Sequence, residues 1–377
     1  MIVLGERVLV TGGAGFIGSH TVDLLMKNGF DVRILDNLEN QIHSNKKPDY
    51  VNPSVEFLLG DILDIDVWHK ALKGTTSIIH LAALTGIGQS MYQPSRYSLT
   101  NMVGTAKLYE ALVNNPEISK NIRRIIVASS KTVYGEGSYK CINHGPFHPK
   151  PRLDEQLQNQ DWDVHCPLCG ENAQPIGIKE EKPAQNLSIY ALSKFSTETL
   201  ALIYGNLLGI PTTVFRYFSG YGPRQSLNNP YTGVCSIFLC RVRNNKPPIV
   251  YEDGKQTRDF VFVKDIARAN LLALKKATRT DIYNIGTGCP LSILAIAETI
   301  RDILGVNIDP IVTQQYRAGD TRHDFADITK AQKELGFNPE WSFKEGLEEL
   351  IKWGETHEAI DRFDHANGER LILSGRS

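Results

Sequence analysis

No stretch of this 377-residue sequence is an uninterrupted apolar run of the roughly eighteen residues that a membrane-crossing helix needs, so nothing in it is expected to span a bilayer. An excess of basic residues is missing too. The 41 Lys and Arg stand against 42 Asp and Glu, a formal charge of −1, which argues against a nucleic-acid partner. Cysteine is scarce, and six in a chain of this length do not suggest a disulfide framework. There is no charged leader with an apolar centre, because Met1 runs almost directly into a strand-like segment; a reducing, cytoplasmic setting is expected. Internal repeats and low-complexity tracts are also absent. What is left is a chain long enough for two domains, or for one large α/β unit with a lobe.

The first thing present is a strand and the turn after it. Arg7 to Val10 is apolar and β-branched, and Thr11-Gly12-Gly13-Ala14-Gly15-Phe16-Ile17-Gly18 follows. Glycines at 12, 15 and 18 suit a tight turn, a close backbone approach to a pyrophosphate, and close packing of the next helix on the sheet. A helix is predicted from Phe16 to Met26, its unpaired N–H groups facing the phosphates. A second strand, Asp31 to Leu35, ends at Asp36, about twenty residues beyond the loop, where a carboxylate binds ribose hydroxyls and disfavours a 2′-phosphate. NAD is therefore the expected cofactor. The plain alternative is a glycine-rich turn with no ligand.

Short apolar runs then alternate with helical patterns: strands at 55–59, 77–83, 124–128, 212–218 and 282–285, and helices at 66–72, 101–114, 188–208, 265–276 and 292–304, with further helices around 236–243 and 345–353. The expected fold class is α/β, a doubly wound parallel sheet of Rossmann type with a smaller C-terminal substrate lobe and a cysteine-bearing insertion. The expected division is a dinucleotide-binding domain over 1–219 and a lobe over 220–377, with 259–288 returning to the first domain. Ligands sit beyond the carboxyl ends of strands in such sheets, so Asp36, Asp61, Ala82 and Ser130 should converge on one crevice. The insertion, 138–185, is polar and proline-rich. Cys141-x-x-His144 and Cys166-x-x-Cys169 give two ligand pairs with the spacing of a closed tetrahedral zinc site, with His148 and His165 as possible substitutes. The alternative is an accidental cluster of thiols. The tail from about Asn367 reads as loosely held.

Tyr190-Ala191-Leu192-Ser193-Lys194 places Tyr and Lys four apart, on one helical face. A nearby ammonium is expected to lower the tyrosine pKa, making a base for a sugar hydroxyl, with Ser130 sharing the proton. Alone this spacing is a common accident. After a dinucleotide-binding fold and a strand ending in Ser129-Ser130, it reads as catalytic.

With these pieces in place the chain resembles the extended short-chain dehydrogenases/reductases of the nucleotide-sugar epimerase and dehydratase group. The resemblance runs from about residue 5 to 352 and rests on Thr11 to His20, Asp36-Asn37, Gly60-Asp61-Ile62, His80-Leu81-Ala82-Ala83, Ser129 to Gly135, Tyr190 to Lys194, Arg216 to Arg224, Arg258-Asp259-Phe260 and Arg317-Ala318-Gly319-Asp320. It implies that Phe16, Ile17, Asp36, Asn37, Asp61, Ile62, Leu81, Ala82, Ala83, Thr100, Tyr190, Lys194 and Phe218 line the NAD. It also implies that Arg258 and Arg317 hold the diphosphate of a nucleotide sugar; the alternative for each is a surface ion pair.

Two departures from the family pattern matter. Ser219 stands where Asn is frequent after Arg-Tyr-Phe. Lys131 and Thr132 stand where the 4,6-dehydratases have an Asp-Glu pair, which leaves epimerisation or simple oxidoreduction. The implied activity is 4-epimerisation with Ser130, Tyr190, Lys194 and Thr132 as the acting residues. The alternatives are a nucleotide-sugar reductase or dehydrogenase, and a non-catalytic nucleotide-binding member of the fold. The cysteine-bearing insertion is similar to that of a subgroup assigned to 4-epimerisation of dTDP-L-rhamnose. Thr85 and Ser219 would present short groups to a 6-deoxy sugar. A homodimer is implied, pairing the helices 101–114 and 188–208, although Leu108, Leu112, Leu200 and Ile203 could equally be core.

Overall fold

The structure is a computed structural model that describes residues 6–231, 233–317 and 319–363. The tail from Asn367, and Thr232 and Ala318 within two of the motifs, lie outside the described residues. Seven parallel strands form the main sheet: β1 (Arg7–Thr11), β2 (Asp31–Asp36), β3 (Glu56–Leu59), β4 (Ser77–His80), β5 (Arg124–Ser130), β6 (Thr212–Tyr217) and β7 (Asp281–Ile285). Their order is 7-6-5-4-1-2-3. The order reverses between β1 and β4, which opens a crevice at their carboxyl ends. The fold is therefore a doubly wound α/β sheet. Its inner strands are apolar on both faces, and each face carries its own core: one around Val8, Val10, Ile34 and Phe215, the other around Leu9, Ile78, Ile125 and Val214.

Four helices matter for the site: α1 (Phe16–Lys27), α2 (Gly104–Val113), α3 (Ile189–Leu208) and α4 (Val263–Lys276). Ser188 caps α3 by accepting from the Ala191 amide at 3.1 Å. Two predicted boundaries shift near the site. Strand β4 stops at His80, so residues 81–83 form the loop that rims the crevice rather than strand. The helix expected from Asn101 starts earlier, as a wide π-turn over Ser98–Val103 ahead of α2. There Asn101 is turned inward, donating to the Leu84 carbonyl at 3.0 Å and to Ser193 Oγ at 2.9 Å.

Beyond β6 the chain builds a smaller mixed sheet. Ser219–Tyr221 pairs in parallel with Thr257–Phe262, which also pairs with Pro290–Ser292 and His323–Asp324. Helix α4 and strand β7 then pack back on the large sheet. The insertion after β5 is more regular than its composition suggests. Ser138–Cys141 pairs antiparallel with Gly145–Phe147 on one side and Gln174–Ile176 on the other. Among the described residues no helix is long and apolar enough to cross a membrane.

Candidate active site

A single cleft of about 1320 Å³ opens along the carboxyl ends of the strands. At its floor Gly12 has φ +66°, and a Cβ there would lie 2.9 Å from the Ala82 backbone. A Cβ on Gly18 would lie 2.0 Å from the Gly12 carbonyl oxygen, so only glycine lets α1 start this close to the turn. Gly15 is the N-cap of α1 without any side-chain cap, which leaves the first amides of the helix facing the cleft. The arrangement has the shape and the free amides that suit a diphosphate, and its glycines keep side chains out of it.

The second loop of the cradle is tied by carboxylates. Asp36 accepts from the Ala14 amide at 3.0 Å and from the Leu38 amide at 2.9 Å, which joins the end of β2 to the glycine loop. Asn37 donates to Asp61 at 3.0 Å, and Asp61 accepts from the Leu63 amide at 2.9 Å. Ile62, Leu81, Ala82, Ala83, Thr100 and Phe218 complete this part of the wall, with Phe16 and Ile17.

At the other end β5 delivers Ser130 into a tight turn over Lys131–Tyr134. Ser130 Oγ accepts from the Thr132 amide at 3.2 Å and from Thr132 Oγ1 at 3.0 Å. Helix α3 brings Tyr190 and Lys194 to the same wall. Behind them Glu198 accepts from Ser129 Oγ at 3.0 Å and from Arg216 Nε at 2.9 Å, which locks α3 onto β5 and β6.

The electrostatics differ from the sequence-based expectation. Burial pushes the Tyr190 phenol up to about 12, against a hydrogen bond with Ser130 that pulls it down. Burial also takes the Lys194 ammonium down to about 8, and its Nζ donates to the Ala128 carbonyl at 2.9 Å. Lys194 is expected to lower the tyrosine, but burial dominates both groups, and the group that opposes it at the phenol is Ser130. A phenol so placed is protonated at neutral pH.

The remaining predicted residues face the same cleft. Thr85 and Ser219 line it, as do Arg258 and Arg317. Arg258 is not a surface ion pair. It is held by the Thr257 and Thr321 carbonyls at 2.8 Å each and by Asp324 at 3.2 Å. Arg317 lies over the Tyr251 ring at 3.8 Å, and its buried Nε has no hydrogen-bond partner among the described residues. A guanidinium lining the cleft suits a phosphate oxygen. The cleft also gathers Gln41, Gln89 and Asn229, joined by hydrogen bonds of 2.9 to 3.3 Å. These come from three distant segments, and no spacing in the sequence singles them out.

The insertion's four ligand types do come together. One ligand atom each from Cys141, His144, Cys166 and Cys169 lie within 4.8 Å of one another. His148 instead contacts Ser138 at 3.2 Å and His165 contacts Asp161 at 2.7 Å, so neither substitutes in the quartet. Backbone amides of Leu168 and Cys169 donate to the Cys166 sulfur, which favours the thiolate.

A dinucleotide cradle, a Ser-Tyr-Lys set and a pair of arginines along one cleft define a nucleotide-dependent enzyme of the doubly wound class. Comparison with known proteins is specific beyond that. The sequence matches the NAD dependent epimerase/dehydratase family over residues 8–152 and 166–286, and the chain belongs to that family. It is 34% identical over 356 residues to a dTDP-L-rhamnose 4-epimerase of Burkholderia thailandensis, an alignment covering 93% of this chain and 96% of the relative. Among solved structures it is similar to a UDP-N-acetylglucosamine 4-epimerase from Methanobrevibacter ruminantium in complex with UDP-N-acetylmuramic acid, with a TM-score of 0.76, 32% identity, and 94% and 99% of the two chains covered. It is also similar to a UDP-glucuronic acid 4-epimerase from Bacillus cereus in complex with UDP-glucuronic acid and NAD, with a TM-score of 0.74, 28% identity, and 93% and 99% covered.

Proposed function

We propose that this protein is an NAD-dependent nucleotide-sugar 4-epimerase with dTDP-L-rhamnose as its substrate. The reading rests above all on one juxtaposition: Ser130, Tyr190 and Lys194 share one cleft with Gly12, Gly15 and Gly18 and with Arg258 and Arg317. The relative assigned to that rhamnose derivative supports the choice of sugar. Gly12, Gly15 and Gly18 with the start of α1 would hold the cofactor pyrophosphate, and Asp36 its adenosine ribose.

NAD held by Gly12, Gly15, Gly18 and Asp36 would supply the acceptor and donor for the hydride at C4 of the sugar. Tyr190 takes the proton of the C4 hydroxyl and later gives it back. Ser130, with Thr132 donating to it, steers that proton, and the Lys194 ammonium stabilises the phenolate. Arg258 and Arg317 bind the diphosphate, so the sugar can turn over between the two half-reactions while its nucleotide stays anchored. Thr85 and Ser219 face the sugar with short side chains, leaving room for that turn.

Three further assignments belong to this reading. Residues 1–219 are assigned to the cofactor half and 220–377 to the substrate half, with 259–288 returning to the first; the parallel pairing of β7 with β6 supports that return. The quartet of Cys141, His144, Cys166 and Cys169 holds a structural zinc, in keeping with reduced thiols in a cytoplasmic setting. The protein pairs as a homodimer through α3 and the helix over 98–113. To test the activity, the protein is incubated separately with dTDP-L-rhamnose, UDP-glucose and UDP-N-acetylglucosamine without added NAD(H), and the anomeric protons are followed by NMR. Conversion of the dTDP sugar to its 4-epimer is expected. Conversion of a UDP sugar alone would move the substrate assignment, and stoichiometric consumption of added NAD(H) would point to a reductase.

A further inference from the structure

The proton and hydride chemistry above makes no use of a buried ion pair in the wall of the cleft. Lys131 stands between Ser130 and Thr132 in the turn after β5, and its Nζ donates to the two carboxylate oxygens of Asp324 at 2.6 and 2.5 Å. The same carboxylate lies 3.2 Å from Arg258 Nε and accepts from Thr321 Oγ1 at 3.0 Å. The side chains of Lys131, Asp324 and Arg258 are 15%, 7% and 14% exposed, so water screens little of what passes between them. Asp324 and Arg258 are also direct neighbours in the parallel ladder of the small sheet, which holds the two residues side by side.

The strand that carries Asp324 is braced from behind by residues 136–139, by Asp163 and by Glu252 and Asp253. Glu136 accepts from the Arg322 amide at 2.9 Å and from the Tyr139 hydroxyl at 2.9 Å. The Arg322 guanidinium reaches Asp163, Glu252 and Asp253 at 2.6 to 3.1 Å. Gly137 packs so tightly on this strand that a Cβ there would lie 2.0 Å from the His323 carbonyl oxygen.

One carboxylate thus grips both the turn bearing Ser130 and Thr132 and the arginine beside it in the cleft wall. A nucleotide sugar spans those two points, with its sugar at the turn and its diphosphate at the arginine. We propose that Asp324 is a positioning residue: through Lys131 it fixes the hydroxyl-bearing turn, through Arg258 the diphosphate clamp, and so it sets the distance between them. The proposal rests on the reading of Arg258 as a diphosphate ligand.

Two substitutions separate the arms. Lys131→Met cuts the arm to the turn and leaves Asp324 paired with Arg258; Asp324→Asn loosens both. The measurements are kcat and KM for the converted nucleotide sugar, calorimetric Kd for UDP, dTDP and NAD, and the unfolding midpoint. For Lys131→Met we expect kcat to fall about tenfold or more with Kd for UDP and dTDP held within about twofold. For Asp324→Asn we expect the same fall in kcat together with about tenfold weaker UDP and dTDP binding, and NAD affinity unchanged in both. Asp324→Glu should recover part of each loss. If the folded variants keep kcat and nucleotide affinity near the wild-type values, the proposal is overturned. It is overturned too if Lys131→Met weakens UDP and dTDP as much as Asp324→Asn does and leaves kcat alone. Should Asp324→Asn fail to fold, Lys131→Met still decides, because it strands no charge. A wild-type protein that binds UDP or dTDP but turns over no nucleotide sugar would defeat the epimerase reading, and the Kd measurements would still judge Asp324.

Discussion

Tyr190 shows how one side chain's surroundings set both its chemistry and its test. The burial that lifts the phenol to about 12 keeps it neutral at physiological pH, and the Ser130 hydroxyl is the group that opposes that rise. Tyr190→Phe keeps the ring and removes the proton carrier. Turnover should fall by about 10²- to 10⁴-fold, the usual scale for general base catalysis, with NAD affinity nearly unchanged. Steady-state kinetics with a parallel NAD titration checks this, and a variant within about threefold of wild type in kcat contradicts the assignment. His80 carries a prediction of another kind. It bridges Thr11 and Thr105 at 2.8 and 3.1 Å, and burial holds its imidazole down at about 3. The folded pKa lies below the ordinary 6.5, so the stability tied to a neutral His80 is complete above pH 6.5 and is lost as pH falls toward 3. Between pH 6.5 and 5 that loss amounts to about 2 kcal/mol. Urea unfolding at pH 7.5 and 5 should show a shallower pH dependence for His80→Gln than for wild type; equal slopes would remove His80 as the cause.

Among the elements, those with a strong local rule were legible in the sequence. The glycine spacing gave β1, its turn and α1, and the apolar runs gave the strands of the parallel sheet, because a strand buried on both faces must be apolar throughout. The ends of strands were less legible. Where β4 stops at His80 is decided by the cleft, and the π-turn over Ser98–Val103 answers to the inward bonds of Asn101 rather than to any helical signal. The Lys131–Asp324–Arg258 cluster was not readable at all: its members come from three segments, and only the small sheet brings two of them side by side. The insertion lies between these extremes. Its ligand spacing suggested a metal site, but its three short strands carry no clear alternation. Such a segment has little apolar core of its own, and a metal can supply the missing stability. Metal analysis of protein never exposed to chelator should find about one zinc per chain, the stoichiometry of a closed four-ligand site. Replacing Cys166 and Cys169 by Ser should abolish it and lower the unfolding midpoint. A metal-free protein with the same midpoint would argue that the quartet is only a cluster of thiols.

The molecule as a whole leaves one face unexplained by the cleft or the core. The sequence offered Leu108, Leu112, Leu200 and Ile203 as apolar positions on two helices without separating contact from core. The structure separates them: Leu108 and Leu112 are fully buried in the core beneath the sheet and Leu200 packs against it, whereas Ile203 is 55% exposed. Around Ile203 the same two helices expose Leu192 and Leu207 on α3, and Leu99 and Val103 on the neighbouring helix. On α3 positions 192, 203 and 207 share one face. The pair of helices is itself rigid, joined by stacked Tyr109 and Tyr204 rings at 5.0 Å and by Asn101 to Ser193 at 2.9 Å. Exposed apolar residues on two packed helices suit self-association about a two-fold axis, where each copy offers the same patch. Sedimentation at micromolar concentration should give a dimer, and Ile203→Glu combined with Leu207→Glu should give a folded monomer, because buried unpaired carboxylates oppose the contact. Neither Ile203 nor Leu207 is among the residues that line the cleft, so the monomeric variant should still bind NAD. A wild-type monomer, or a dimer untouched by the two glutamates, would assign this face to some other role.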